Sequence, residues 1–110
     1  MIKTIDEIDF EKGGGLVPVV TQDATSLEVL TLAYANREAV TLSLETGWAH
    51  YYRRSHGRVT KKGVTSGNVQ KIQEIMLDCD FDALIYLVDQ KGPACHLGER
   101  SCFHNKLEID

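Results

Sequence analysis

Three aspartates stand at alternate positions within five residues, Asp78, Asp80 and Asp82. If this segment is a strand, alternate side chains share one face, so the carboxylates converge while Cys79 points to the other face. Close carboxylates repel one another unless a cation or protons compensate. Their hard oxygens suit Mg²⁺ or a similar ion, and the alternative is an acidic turn exposed to water. An EF-hand is not indicated, because Ala83 occupies the position that requires glycine.

The three cysteines, Cys79, Cys95 and Cys102, form a second candidate metal site. Zinc prefers thiolate and imidazole ligands, and a catalytic zinc commonly keeps three protein ligands and one open position. The sequence has no CxxC pair, so the spacing does not predict a zinc ribbon or finger. Without a secretory signal, reduced thiols are expected, and free cysteine is also a common buried apolar residue. His96 adjoins Cys95 and is the candidate general base.

A basic segment leads into a glycine-flanked polar loop. Five of the twelve basic residues lie between Arg53 and Lys62, with no acidic residue among them. The loop that follows offers hydroxyl groups and flexible backbone, which can hold a phosphate group. Taken separately, each run is equally consistent with a solvated turn. A positive site beside a negative one indicates an enzyme for a phosphorylated substrate and a metal.

The composition excludes several classes of protein. With 110 residues, 43% of them hydrophobic and 25% charged, the chain predicts one globular domain spanning 1–110 and excludes wholesale disorder. A net charge of −4 argues against a general nucleic-acid binder. No apolar run approaches the roughly 20 residues of a membrane span, and the N-terminal residues are too acidic for a signal peptide. We therefore expect a cytoplasmic protein with no membrane or nucleic-acid partner.

The elements that must position these residues are mostly strands. Apolar and β-branched runs predict strands at 16–21, 29–34, 48–52, 69–77 and 83–88. The first two form a hairpin, and 69–77 also permits a helix. Asn36 and Gly47 delimit one amphipathic helix that contains Val40 and Leu44, and Thr4 begins a capping box at a short helical turn. The predicted fold class is α+β, a sheet-dominated single domain with one main helix.

Together these segments resemble phosphoribosyl-AMP cyclohydrolase, an enzyme family of histidine biosynthesis. The resemblance runs in order from Leu16 to Phe103 and covers nearly the whole chain. The segments that carry it are 16–23, 32–36, 62–68, 77–83, 94–96 and 100–103. Its most specific part is the aspartate–cysteine cluster followed by two later cysteines.

The resemblance implies that a zinc-activated water hydrolyses the N1–C6 bond of the adenine ring in phosphoribosyl-AMP. It also implies an intimate homodimer with a shared zinc, bound by Cys79 of one subunit and by Cys95 and Cys102 of the other. The aspartates at 78, 80 and 82 correspond to magnesium ligands, and His96 is the expected catalytic base. The expected substrate-binding residues are Arg54, Lys62, Thr65, Ser66, Gly67 and Asn68.

Three positions depart from the family pattern and leave the metal ligands intact. Arg53 stands where serine is usual, Thr60 where tryptophan is common and Val64 where glutamate is frequent. One alternative function is another zinc-dependent nucleobase hydrolase or deaminase, although the H-x-E and P-C-x-x-C signatures of deaminases are absent from the sequence. The other is a zinc-stabilised nucleic-acid-binding module. The family also occurs fused to a pyrophosphohydrolase domain, and we expect that second activity to be absent here.

Overall fold

The computed structural model describes residues 1–109; Asp110, the last residue of the expected domain, lies outside the described residues. Two 3-10 turns, Ile5–Glu7 and Glu11–Gly13, precede the first strand. The remaining elements, in chain order, are β1 Val17–Asp23, β2 Val29–Ala35, α1 Arg37–Thr46, β3 His50–Arg53, β4 Arg58–Lys61, β5 Gln70–Leu77 and β6 Leu84–Gln90. The expected α+β class is confirmed.

A four-stranded sheet with the order β2-β1-β6-β5 forms one layer of the fold. β1 pairs antiparallel with β2, which confirms the predicted hairpin, and β5 pairs antiparallel with β6. Segment 69–77, for which the sequence also permitted a helix, is a strand. β1 and β6 are parallel neighbours. Because parallel strands need a long connection, α1 and the β3–β4 hairpin lie between them in the chain.

One face of this sheet is buried and carries the core. Alternate residues of the two central strands are buried there, as expected for a period of two, namely Val17, Val19, Thr21, Leu84, Tyr86 and Val88. The helix contributes Ala39, Val40 and Ser43 to the buried residues. Leu44, which was expected on the same face as Val40, is 56% exposed. The buried stripe of α1 therefore runs through a small residue and a serine instead of a second large apolar side chain.

Both ends of α1 lie where the sequence predicts them. The Asn36 side-chain oxygen accepts a hydrogen bond from the Ala39 N–H at 2.9 Å, and Gly47 ends the helix in the left-handed region with φ 79°. The capping box near Thr4 is a short 3-10 turn in which the Glu7 carboxylate accepts from the Thr4 N–H at 2.9 Å. Within residues 1–109, no helix has the length and apolar character needed to cross a membrane.

Candidate active site

A cleft of about 640 Å³ lies where β2, β3 and β4 meet two irregular segments, the loop after β4 and the chain after β6. Several residues that the sequence singled out line this cleft together, although they are far apart in the chain. They are Lys62, Thr65, Ser66, His96 and Cys102. The structure thus brings the predicted phosphate loop and part of the predicted zinc site to one cavity.

The loop after β4 closes on itself through Gly63. This residue has φ +81°, and a Cβ atom there would lie 2.5 Å from the backbone carbonyl carbon of Asn68. The Gly67 N–H donates a hydrogen bond to the Gly63 carbonyl at 2.8 Å, so the loop forms a tight reversal that only glycine accommodates. Thr65 and Ser66 at its tip line the cleft. Gly67 and Asn68 are not among the lining residues, and their substrate contacts stay a prediction.

The wall of the cleft is basic. Arg53, Lys61 and Lys62 line it, and within residues 1–109 no acidic residue does. Arg53 is one of the departures from the family pattern, and it lies in the cavity. Arg54, the predicted phosphate ligand, does not line the cleft, because its guanidinium lies 3.8 Å from the centre of the Tyr34 ring in a cation–π contact. A concave wall that carries positive charge attracts anionic ligands.

Segment 94–102 forms a closed loop that is anchored to β2. The Ala94 N–H donates to the Arg100 carbonyl at 3.0 Å and closes the loop. The Cys102 N–H donates to the Leu30 carbonyl at 2.7 Å and ties the end of the loop to the strand. Two of the three predicted zinc ligands are therefore held on one short, hydrogen-bonded segment beside the cleft.

The sulfur atom of Cys95 lies in a polar environment. Cys95 is 6% exposed, and its Sγ accepts a hydrogen bond from the Leu97 N–H at 3.4 Å. His104 Nε2 lies 3.9 Å from the same sulfur. The Cys95 sulfur therefore lies beside an imidazole nitrogen, and thiolate sulfur and imidazole nitrogen are the two ligand types that zinc prefers. No local pattern in the sequence links His104 to a cysteine nine positions earlier.

The segment that carries the aspartates is a turn, so the strand argument for it is wrong. Loop 78–83 reverses the chain between the antiparallel strands β5 and β6. The Oδ1 atom of Asp78 accepts from the Asp82 N–H at 3.0 Å, which stabilises the reversal. Cys79 does not face away from the carboxylates, because its Sγ lies 3.9 Å from Asp80 Oδ1. A short connection between paired strands cannot itself remain extended.

The three carboxylates converge nevertheless. One oxygen atom from each aspartate lies within 4.8 Å of the others. The Lys12 ammonium lies 2.7 Å from Asp82 Oδ2 and 3.3 Å from Asp80 Oδ2. The hydrogen bond from Lys12 lowers the pKa of Asp82, while desolvation raises the pKa of Asp78. Oxygen donors at this spacing, already compensated by a cationic side chain, fit a hard divalent cation.

Within one chain, Cys79 is separated from the other two cysteines. The loop that carries it adjoins the Val19–Leu84 pair, whereas Cys102 is bound to Leu30 toward the opposite end of the sheet. In the described residues of a single chain, the aspartates are the only group of three His, Cys, Asp or Glu side chains close enough to hold an ion. A site with three cysteine ligands is therefore not formed by one chain alone.

Tyr51 is a cleft residue that the sequence analysis did not single out. Its side chain is buried, and its hydroxyl lies 2.6 Å from Thr21 Oγ1 and donates to Gln70 Oε1 at 2.5 Å. Burial raises the pKa of the Tyr51 phenol far above its ordinary value, so the hydroxyl stays protonated at neutral pH. Its partners come from β1 and β5, which are distant in sequence, and no local pattern signals them.

The match to known proteins is extensive. A protein-family model described as phosphoribosyl-AMP cyclohydrolase matches residues 31–104. The chain belongs to the phosphoribosyl-AMP cyclohydrolase family. The phosphoribosyl-AMP cyclohydrolase of Nitrosopumilus maritimus is 60% identical over 98% of this chain and 100% of its own length. That of Archaeoglobus fulgidus is 59% identical, over 94% of this chain and 95% of its own length.

A third relative has a longer chain. The histidine biosynthesis bifunctional protein HisIE of Pyrococcus furiosus is 55% identical over 96% of this chain and 50% of its own length. The resemblance drawn from sequence segments is thus confirmed at the level of the phosphoribosyl-AMP cyclohydrolase family. The region matched by the family model contains every residue of the predicted catalytic, substrate and metal sites.

Proposed function

We propose that this chain is a phosphoribosyl-AMP cyclohydrolase that opens the adenine ring at the N1–C6 bond, as a single domain acting in cytoplasmic histidine biosynthesis. The observation that carries the proposal is the cleft that joins a basic wall to His96 and Cys102. A phosphorylated nucleotide requires the cationic wall, and its hydrolysis requires a group that moves protons beside a site for water. Membership of the family supports the choice of substrate.

The cleft suits a substrate that carries two phosphates. Its volume of about 640 Å³ falls in the range of about 300–1,000 Å³ that is usual for small-molecule sites. Lys62 with the hydroxyls of Thr65 and Ser66 would hold one phosphate, and Arg53 with Lys61 would attract the other. Both phosphates lie away from the reacting carbon, so their binding energy orients the ring instead of stabilising the reacting atoms directly.

We propose that zinc is bound by Cys95 and Cys102 together with Cys79 of the partner subunit. The polar environment of the Cys95 sulfur and the position of Cys102 in the cleft support two thiolate ligands on one chain. The separation of Cys79 from them supports a third ligand from a second copy. When bound, zinc supplies Lewis-acid activation of water near neutral pH.

The uncovered face of the sheet supports the proposed homodimer. Four apolar side chains, Leu32, Val20, Ile85 and Met76, form a row across neighbouring strands on the face opposite the core. None of the four belongs to the buried core, and Leu32 is 49% exposed. A row of this kind across a whole sheet is typical of a surface that packs against another protein. A second copy that covers it in a two-fold arrangement would place the ends of the two sheets near each other.

We propose that the aspartates at 78, 80 and 82 bind magnesium. Their oxygens are close together, are of the type that Mg²⁺ prefers, and already hold a cationic group. Magnesium prefers to keep several water ligands and to bind phosphate oxygens. An exposed carboxylate cluster leaves positions open for both.

The chain's own residues would then carry out the hydrolysis as follows. Ribosylation at N1 withdraws electrons and makes C6 electrophilic, and the oxygen of a water molecule adds to C6. His96 accepts a proton from the attacking water and returns one to N1 as the C6–N1 bond breaks. The added oxygen becomes the carbonyl of a carboxamide, and N1 remains in the formimino group. Lys62 and the loop tip keep C6 in place while this occurs.

A direct assay tests the proposed reaction. Purified protein supplied with zinc and magnesium is incubated separately with phosphoribosyl-AMP, adenosine and cytidine. We expect the ring-opened carboxamide from phosphoribosyl-AMP alone, with no release of ammonia, because hydrolysis at N1–C6 retains the exocyclic nitrogen. Ammonia from any of the three substrates would favour a deaminase and contradict the proposal. His96→Ala serves as a variant that retains every proposed metal ligand, and we expect it to lose turnover.

A further inference from the structure

The segment before β1 is docked on the acidic loop 78–83. The Asp9 N–H donates a hydrogen bond to the Phe81 carbonyl at 2.7 Å, and the Lys12 N–H donates to Asp9 Oδ1 at 3.1 Å. The Lys3 ammonium lies 5.5 Å from the centre of the Phe81 ring. Backbone contacts of its own segment therefore present Lys12 to the loop.

The Lys12 ammonium lies where a metal cation would neutralise the carboxylates. It lies 2.7 Å from Asp82 Oδ2 and 3.3 Å from Asp80 Oδ2. Magnesium binds carboxylate oxygens at about 2.1 Å in octahedral geometry. An ammonium and a divalent cation on the same oxygens would stand a few ångströms apart and repel each other. Lys12 and Mg²⁺ therefore compete for these two carboxylates.

We propose that Lys12 is an internal counter-ion of the acidic cluster, which a divalent cation displaces when it binds. The inference rests on the magnesium site proposed above and adds a residue that tunes it. Without a divalent cation, Lys12 relieves the repulsion among the carboxylates. When one arrives, Lys12 competes and lowers its apparent affinity. The Lys12 side chain is 56% exposed, so its departure requires no rearrangement of the core.

Calorimetric titration with Mg²⁺ tests this competition. The protein is used as purified, after dialysis against magnesium-free buffer, and wild type is compared with Lys12→Met and Lys3→Met. Lys3 is the matched control, because its ammonium contacts the Phe81 ring of the same loop and not a carboxylate. We expect Lys12→Met to bind Mg²⁺ about two- to fivefold more tightly, as the loss of an exposed ion pair allows. Lys3→Met should change the affinity by less than about twofold, because salt screens exposed charges.

Thermal unfolding supplies an independent readout. Without Mg²⁺, Lys12→Met should unfold at a lower temperature than wild type, because Asp80 and Asp82 have lost their counter-ion. Saturating Mg²⁺ should remove this difference, since the same cation then neutralises the cluster in both proteins. Lys3→Met should not show this magnesium-dependent recovery.

The outcomes separate the two proposals. Equal or weaker Mg²⁺ binding by Lys12→Met, or an equal gain in Lys3→Met, overturns the counter-ion role and leaves the magnesium site in place. Absence of Mg²⁺ binding in both wild type and Lys12→Met overturns the magnesium site and the counter-ion role together.

Discussion

The Nζ atom of Lys62 donates a hydrogen bond to the carbonyl oxygen of Ala94 at 2.8 Å. This bond joins the end of the basic segment to the residue that immediately precedes Cys95. The proposed phosphate loop and the proposed zinc loop therefore share a direct link across the cleft. Lys62 therefore supports the cysteine loop, and a ligand whose phosphate draws the Lys62 side chain away would weaken that support.

Replacing Lys62 with methionine should therefore weaken substrate binding and loosen the cysteine loop. We expect kcat/KM to fall about 10- to 100-fold, the effect of losing one hydrogen bond to a charged group. Lys91→Met is the control, because Lys91 does not line the cleft and its removal changes the net charge equally. Steady-state kinetics measure both variants. Equal losses would show that overall charge, and not the position of Lys62, governs the activity.

Replacing Asp80 with asparagine should abolish the contribution of magnesium without unfolding the protein. Asp80 is exposed and belongs to a crowded set of carboxylates, so removal of its charge also relieves repulsion. We expect turnover to fall steeply while the unfolding temperature in magnesium-free buffer stays at or above that of wild type. Asp6→Asn, on an exposed residue outside the cluster, is the control. Normal turnover in Asp80→Asn would contradict the assigned role.

Tyr51 should contribute to stability through its buried hydroxyl. The Tyr51→Phe variant leaves Gln70 Oε1 without its hydrogen-bond donor, and we expect a loss of about 1–3 kcal/mol in the free energy of unfolding. Thr21→Val removes the other partner of the same hydroxyl. Because these residues contact each other, the double variant should lose less than the sum of the two single losses. Strict additivity in urea unfolding would show that the contact has no energetic weight.

The stability contributed by Asp23 should depend on pH. Its carboxylate accepts from the Ser26 N–H at 2.8 Å and pairs with Arg100 at 2.9 Å. The Ser26 hydrogen bond is the main cause that lowers the pKa of Asp23 below its ordinary value of 3.8. A carboxyl group with a lowered pKa in the folded state stabilises the fold above its unfolded pKa. That stabilisation disappears as the pH falls through the folded pKa.

We therefore expect Asp23→Asn to cost about 1–2 kcal/mol at pH 7, in the range for charge-assisted hydrogen bonds. The difference from wild type should shrink as the pH drops below 3.8. Urea unfolding at several pH values measures it. Glu28→Gln is the control, since Glu28 contacts the same arginine but is 44% exposed and should cost much less. A difference that stays constant with pH would contradict the assignment.

Much of the fold is predictable because its signals are local. The strands follow from runs of β-branched residues, and the helix ends follow from Asn36 and Gly47, whose capping contacts involve near neighbours. The position of β6 between β1 and β5 has no such signal, because parallel pairing depends on contacts across the whole chain. The segment 78–83 is a turn, which is one of the two alternatives that the sequence leaves open, because alternating aspartates look the same in a strand and in a turn until the neighbouring strands are known to pair.

The site is predictable only in its residue types. The cysteines, aspartates and Lys62 are distinctive through chemistry and family resemblance. Their partners are not, because Lys12 reaches the aspartates from 68 positions earlier. Arg54 shows that residue type alone does not place a side chain in the cleft. It is basic and belongs to the basic segment, yet it stacks on Tyr34 outside the cleft. Alternate side chains of β3 share a face, so Arg53 lines the cleft together with Tyr51, and composition carries no information on this choice.

The central claim is that two chains jointly build the zinc site, and a complementation experiment tests it most directly. Cys79→Ala and Cys102→Ala should each be inactive alone. When the two variants are co-expressed, about half of the dimers are mixed, and each mixed dimer retains one complete site, so about one quarter of wild-type activity is expected. The pair Cys95→Ala and Cys102→Ala should not recover, because both ligands belong to the same half-site. Failure of the first pair to recover, or equal recovery in the second, would contradict the account.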